Sequence, residues 1–169
     1  DGTGTLSYSW QTSSDNSSWS VVGTNATYTV EAIEEGKSIK AIISYKDAQG
    51  FDETVTTSTS SIPYVDDGSA EFSIRAIRGI QEVGEILYIR EILEDPDETG
   101  TLSYSWQISD DSINWTEVSS EYTYQITSSD ERKSIKAVIS YQDGQGFDET
   151  VTTSASSIPY VDNGQASFS

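Results

Sequence analysis

The sequence predicts an all-β chain of antiparallel two-sheet sandwiches repeated in tandem. Three observations carry this prediction. Ser, Thr, Tyr, Val and Ile are abundant among the 169 residues, and they suit pleated, half-buried strands. Short alternating runs of apolar and polar residues recur between polar turns, and none has a helical period. The chain also repeats itself. Residues 4–11 (GTLSYSWQ) recur at 100–107, residues 49–58 (QGFDETVTTS) at 145–154, and residues 60–66 (SSIPYVD) at 156–162. All three matches share one offset of 96 residues without a gap. That period is too long for a solenoid unit that needs its neighbours to form a core. It is the size of one autonomous sandwich domain.

Within the repeat, the strands follow in order. Residues 70–74 place Ala70, Phe72 and Ile74 on one face. Residues 85–93 form the second candidate. In 102–107, Leu102, Tyr104 and Trp106 alternate with Ser103, Ser105 and Gln107. Residues 114–118 and 122–126 follow. In 134–141, Ile135, Ala137, Ile139 and Tyr141 alternate with Ser134, Lys136, Val138 and Ser140. The last strand covers 147–154 and runs toward Ile158, where Pro159 ends it. Turn-forming stretches at 95–100, 109–112, 128–132 and 143–146 separate these runs. Seven short strands at such spacing read as a two-sheet sandwich.

The repeat phase divides the chain into three parts. Residues 1–68 are the later part of one repeat, lacking its first strands. Residues 69–164 are a complete repeat. Residues 165–169 (QASFS) match 69–73 (SAEFS) and open a third. The parent chain is expected to continue in both directions. A second phase is open, with domains starting at Gly4 and residues 70–93 closing the first. The linker-like stretch at 65–69 favours the former.

Composition removes whole classes of chemistry. The chain carries 28 acidic and 9 basic residues, for a net charge of -19. Such a surface repels nucleic-acid phosphates and attracts cations, divalent ones most strongly. There is no Cys, His or Met. The usual zinc and iron–sulfur ligands are absent, and no Ser-His-Asp triad or cysteine nucleophile exists. Paired carboxylates of the glycosidase kind remain, but each notable acid sits in a loop of a repeated unit. No enzymatic activity is expected. No run is long and apolar enough for membrane insertion as a helix.

Val83-Gly84 ahead of a strand, then Tyr104-x-Trp106, then Asp130-Glu131-x-Lys133-Ser134-Ile135-x-Ala137 form a pattern. It resembles the bacterial immunoglobulin-like repeats of giant adhesins and RTX-type secreted proteins, notably those of marine bacteria and cyanobacteria. The resemblance covers the whole chain. It implies tandem immunoglobulin-like antiparallel β-sandwich repeats with the 96-residue period. The Trp106 strand would then be the C strand and 133–141 the F strand, with Ala137 where antibody domains carry a cysteine. It also implies a bacterial protein that is extracellular or on the cell surface. The nonapeptide calcium repeat of RTX proteins is absent, and fold alone does not assign function.

The sharpest chemical signal is acidic. Asp95, Asp97 and Glu98 lie in the loop before the Trp106 strand. On an immunoglobulin-like topology, Asp143 and Asp148 after the Tyr141 strand lie at the same pole, as do Asp66 and Asp67 of the incoming linker. Calcium takes 6–8 hard oxygen ligands, which clustered carboxylates and backbone carbonyls supply. Asp66, Asp67, Asp95, Asp97, Asp143 and Asp148 are therefore the candidate calcium ligands, stiffening the joint between repeats. The competing reading is a set of ordinary solvated Asx turns. In the first repeat, Asp1 matches Asp97, and Asp47 and Asp52 match Asp143 and Asp148. A full site is thus expected only at the middle of the chain.

Two tryptophan pairs complete the reading. Trp10 and Trp106 share a face with Leu6 and Leu102, which is core spacing. Trp19 and Trp115 follow a turn. Core packing is the favoured reading for both pairs, against a sugar-binding platform. Lys40 and Lys136 alternate outward. The expected function is a non-catalytic structural spacer of a large secreted or cell-surface adhesin-like protein, with neighbouring repeats of the same chain as partners. The alternative is a carbohydrate- or surface-binding module that contacts a glycan or cell surface.

Overall fold

The computed structural model describes residues 2, 4–71, 77–90, 94–161 and 164. Among these residues there are thirteen strands, two 3-10 turns and no α-helix. No helix among them is long and apolar enough to cross a membrane. The chain divides into two compact units, Asp1–Val65 and Asp66–Ser169.

Unit 1 contains β1 (Ser7–Ser13), β2 (Ser20–Gly23), β3 (Ser38–Lys46), β4 (Asp52–Thr56) and β5 (Ser60–Ser61). They form one antiparallel sheet in the order β2-β1-β3-β4, with β5 also on β3. The alternation in β3 sends Ile39, Ala41, Ile43 and Tyr45 to one face. Ser7 pairs with Ser44 and Ser13 with Ser38, which sets Trp10 opposite Ala41.

Unit 2 contains β6 (Ile77–Arg78), β7 (Ile86–Ile89), β8 (Ser103–Ser109), β9 (Thr116–Ser119), β10 (Thr123–Gln125), β11 (Ser134–Gln142), β12 (Asp148–Thr152) and β13 (Ser156–Ser157). Here two sheets form: β12-β11-β8-β9 with β13 on β11, and β10-β7-β6. This is the arrangement of a β-sandwich. Ser103 pairs with Ser140 and Ser109 with Ser134, which sets Trp106 opposite Ala137. A register shift at Trp10/Gln11 has its counterpart at Trp106/Gln107.

The core of unit 2 lies between its sheets. Trp106, Ile135, Ala137 and Ile139 come from one side, and Ile77, Leu87, Ile89 and Tyr124 from the other; Ile126 and Ile158 join them. Fully burying one such aliphatic side chain contributes about 1.5–3 kcal/mol. Trp106 is wholly buried, and its indole N–H donates to the Glu121 carbonyl at 3.0 Å. Its ring stacks on Tyr124 at 6.0 Å, and the Tyr124 hydroxyl donates to Asp130 Oδ2 at 2.7 Å. Asp130 also closes a capping box with Thr127. Burial works to raise the Asp130 carboxyl. Hydrogen bonds from the Thr127 N–H, the Tyr124 hydroxyl and the Thr127 hydroxyl, with the Lys133 charge, outweigh it and hold the group below its ordinary value.

Several expectations change. β6 was not anticipated, because two residues show no period. Ala70 and Glu71 lie in no strand; residues 72–74 of that expected strand, 91–93 of the next, and 165–169 lie outside the described residues. Trp10 is only half-buried, because no second sheet faces β1 and β3 among the described residues of unit 1. Trp19 and Trp115 are not core residues. They lie on the outer face, where the Lys40 and Lys136 ammonium groups sit over their rings at 3.8 and 4.3 Å.

Candidate metal site

Two loops at one end of unit 2 build the site. The β7–β8 connection carries Asp95 and Asp97, and the β11–β12 turn carries Asp143. An isolated bridge between Thr99 and Asp143 stitches the loops together. The Gly144 N–H donates to the Asp97 carbonyl at 2.9 Å. Gly144 permits this approach, since a Cβ there would lie 2.6 Å from the Asp97 carbonyl oxygen. Glu98, between Asp97 and Thr99, holds the left-handed conformation at φ 74°, which non-glycine residues adopt only under local constraint.

Asp95, Asp97 and Asp143 are all buried, and each offers a carboxylate oxygen within 4.8 Å of the others. Asp95 accepts from the Asp97 N–H at 2.8 Å through Oδ1 and from the Tyr141 hydroxyl at 2.6 Å through Oδ2. Asp97 accepts from the Asp67 N–H at 3.0 Å and from Gln145 Nε2 at 2.5 Å. Asp143 Oδ1 gathers the N–H groups of Gln145, Gly146 and Phe147 at 2.6–2.9 Å. Among the described residues no lysine or arginine pairs with the cluster, and the one ion pair is Lys46–Asp52 in unit 1. Buried carboxylates without a cationic partner repel one another.

A second feature points the same way. Gln145 Oε1 is buried and has no hydrogen-bond partner, while the nitrogen of the same amide faces Asp97. Rotating that amide by half a turn places a neutral oxygen beside the carboxylates. The donor set is then all oxygen, which fits a hard divalent cation and not zinc or copper. Waters or backbone carbonyls would supply the remaining ligands.

The other expected residues fall elsewhere. Asp66 and Asp67 are exposed, and Asp67 contributes its backbone N–H to the cluster, not its carboxylate. Asp66 accepts from the Gly68 N–H at 2.8 Å and lies beside Glu149. Asp148 is exposed and takes a hydrogen bond from Gln142 at 3.3 Å. The register explains its position. On β12, Asp148 pairs with Gln142 and Glu149 with the buried Tyr141, so alternation turns Glu149 toward the site and Asp148 away. Burial, then the charges of Asp66, Asp95 and Asp143, push the Glu149 carboxyl above its ordinary value. Asp1 lies outside the described residues, and Asp47 keeps the turn role of Asp143, accepting from Gln49 and Phe51 N–H groups.

Sequence reasoning missed Tyr141, Gln145 and Glu149. Tyr141 is the link to the incoming chain: its hydroxyl accepts from the Ala70 N–H at 2.6 Å and donates to Asp95 at 2.6 Å. Burial, then the Asp95 hydrogen bond, push its hydroxyl up to about 12. The cross-strand partner of Tyr141 could have been read from the period-2 pattern of the DETVT strand; the roles of Tyr141 and Gln145 depend on how the loops meet. No protein-family model matches this chain, and no curated protein matches it.

Proposed function

We propose that the chain is a non-catalytic spacer built of tandem immunoglobulin-like repeats, part of a large secreted or cell-surface adhesin-like protein, and that unit 2 holds a calcium-class cation on Asp95, Asp97 and Asp143. The observation that carries the reading is the way the incoming segment is tied to this cluster. The Asp67 N–H bonds Asp97, and the Ala70 N–H reaches Asp95 through the Tyr141 hydroxyl. A cation on the three carboxylates would fix both loops and, through them, the segment that leads into the unit. The mechanism is mechanical: the sandwich core supplies a stable bead, and the cation stiffens the start of that bead. Net charge of -19 keeps such an array soluble and self-repelling.

The glycan-binding alternative has less support. Aromatic platforms for sugars need open ring faces, and Lys40 and Lys136 already occupy faces of Trp19 and Trp115. Trp106 is buried. Thermal melting of the whole chain in millimolar calcium and in chelator tests the reading. A rise of several degrees in calcium, following ligand linkage, supports it; identical melting curves reject the cation.

A further inference from the structure

Unit 1 presents a face whose counterpart in unit 2 is covered. β1 and β3 aim Trp10, Ile39, Ala41 and Ile43 to one side, as β8 and β11 aim Trp106, Ile135, Ala137 and Ile139. The surroundings match as well. The Trp10 indole N–H donates to the Asn25 carbonyl and that of Trp106 to the Glu121 carbonyl, both at 3.0 Å. Trp10 stacks on Tyr28 at 6.1 Å, and Trp106 on Tyr124 at 6.0 Å. The Tyr28 hydroxyl donates to Glu34 at 2.6 Å, as Tyr124 does to Asp130 at 2.7 Å.

In unit 2 this face lies under β6 and β7. Ile77, Leu87 and Ile89 join the core, and Leu87 pairs with Tyr124 across β7 and β10. The Gly84 N–H donates to the Ile126 carbonyl at 2.8 Å, and the Ile126 N–H to the Glu85 carbonyl at 3.0 Å. In unit 1 the same place is open. Val30 is 45% exposed where its equivalent Ile126 is 1%. An apolar groove of about 410 Å³ is lined by Val30, Ala32, Ile39, Ile62, Pro63 and Val65. Residues 27–29, the equivalents of β10, form no strand. A strand needs a ladder partner for its backbone groups, and β7 is that partner in unit 2.

We infer that the open face of unit 1 accepts a strand pair of the β6–β7 type, with the sequence of residues 77–89, when that pair is tethered on the N-terminal side of β1. The pair adds aliphatic side chains over Trp10 and Ile39 and pairs its backbone with Tyr28 and Val30, a form of strand addition. A second molecule is a poor donor: its own Leu87 and Ile89 are 0% and 4% exposed, and exchange would strip them of that burial. A tethered copy faces no such competition and acts at high effective concentration. This inference is independent of any cation.

The test extends the whole chain by a copy of residues 69–96 placed directly before Asp1, which continues the repeat in phase. Hydrogen exchange at the Val30 amide is the readout, because the equivalent Ile126 N–H is bonded to Glu85. In the extended chain that amide should slow at least about tenfold, unit 1 should melt about 10 °C higher, and the protein should stay monomeric. The same extension with L87D and I89D in the added copy should give neither effect. Unchanged exchange at Val30, equal protection from the control, or protection that appears only in dimers would overturn the inference. If the extended chain fails to fold, a synthetic peptide of residues 69–96 added to the original chain serves instead. Slowed exchange at Val30 then supports the inference, and fast exchange at saturating peptide overturns it.

Discussion

The Tyr141 hydroxyl donates a 2.6 Å hydrogen bond to Asp95 Oδ2 across 46 positions of sequence, and the hydroxyl oxygen itself accepts from the Ala70 N–H. One phenol thus ties β11, the β7–β8 loop and the incoming segment together. Y141F removes both bonds and leaves a buried carboxylate oxygen and a backbone N–H without partners. Loss of about 1–3 kcal/mol is expected. Urea unfolding of unit 2 checks it, and a wild-type midpoint would contradict it. Tyr141 also has an alkaline signature. Its hydroxyl is pushed up to about 12, whereas an unfolded tyrosine ionises near about 10. Its contribution is therefore present below about pH 10 and is lost as pH rises toward about 12. Y141F should flatten that part of the stability profile.

Asp143 separates the turn from the charge. D143N keeps an oxygen able to accept from Gln145, Gly146 and Phe147, so the fold should survive. One of three clustered charges is gone, however, and the calcium-induced rise in melting temperature should vanish. A variant that melts like wild type in chelator and still responds fully to calcium would show that Asp143 is not a ligand.

Glu149 makes a prediction of opposite sign to most carboxylates. Its carboxyl lies above its ordinary value through burial and the charges of Asp66, Asp95 and Asp143. The folded state therefore holds this proton more tightly than the unfolded chain, and stability falls as pH rises from the ordinary carboxylate range through the raised value. In chelator, E149Q should remove that fall and melt above wild type at neutral pH. Calcium should shrink the difference, because the cation offsets the same charges. Lower melting of E149Q in chelator would contradict the electrostatic account.

How much of this was legible in the sequence varies by element. The β3 and β11 strands were readable because SIKA…SY alternates without interruption, and the faces of Ile135 and Ala137 followed directly. Asp95, Asp97 and Asp143 were readable as loop acids at one pole. Asp148 was misplaced because the pairing register, not the composition of the loop, decides which of two neighbouring acids turns inward. Tyr141 was legible only as one position on the alternating face of 134–141, and its hydroxyl reaches Ala70 only once the incoming segment is laid against β11. Trp10 and Trp106 have identical local sequence and different burial, since burial depends on the second sheet and not on the strand itself.

Asp130 provides a test of the core. Hydrogen bonds from Thr127 and Tyr124 hold its carboxyl below its ordinary value against the cost of burial. Its stabilising contribution is present above the unfolded carboxylate value of about 3.9 and is lost as pH falls through the lowered folded value. D130N should therefore be less stable than wild type at neutral pH, and the two should converge in acid. A gap that stays constant to about pH 2 would show that the charge of Asp130 contributes nothing.

The central claim is that a cation on Asp95, Asp97 and Asp143 fastens the segment leading into unit 2. Hydrogen exchange at the Asp67 and Ala70 amides, measured in calcium and in chelator, tests it most directly, because these two N–H groups bond Asp97 and Tyr141. The account predicts that calcium slows exchange at both amides in wild type and at neither in D143N. Equal exchange at both amides in calcium and in chelator would contradict it.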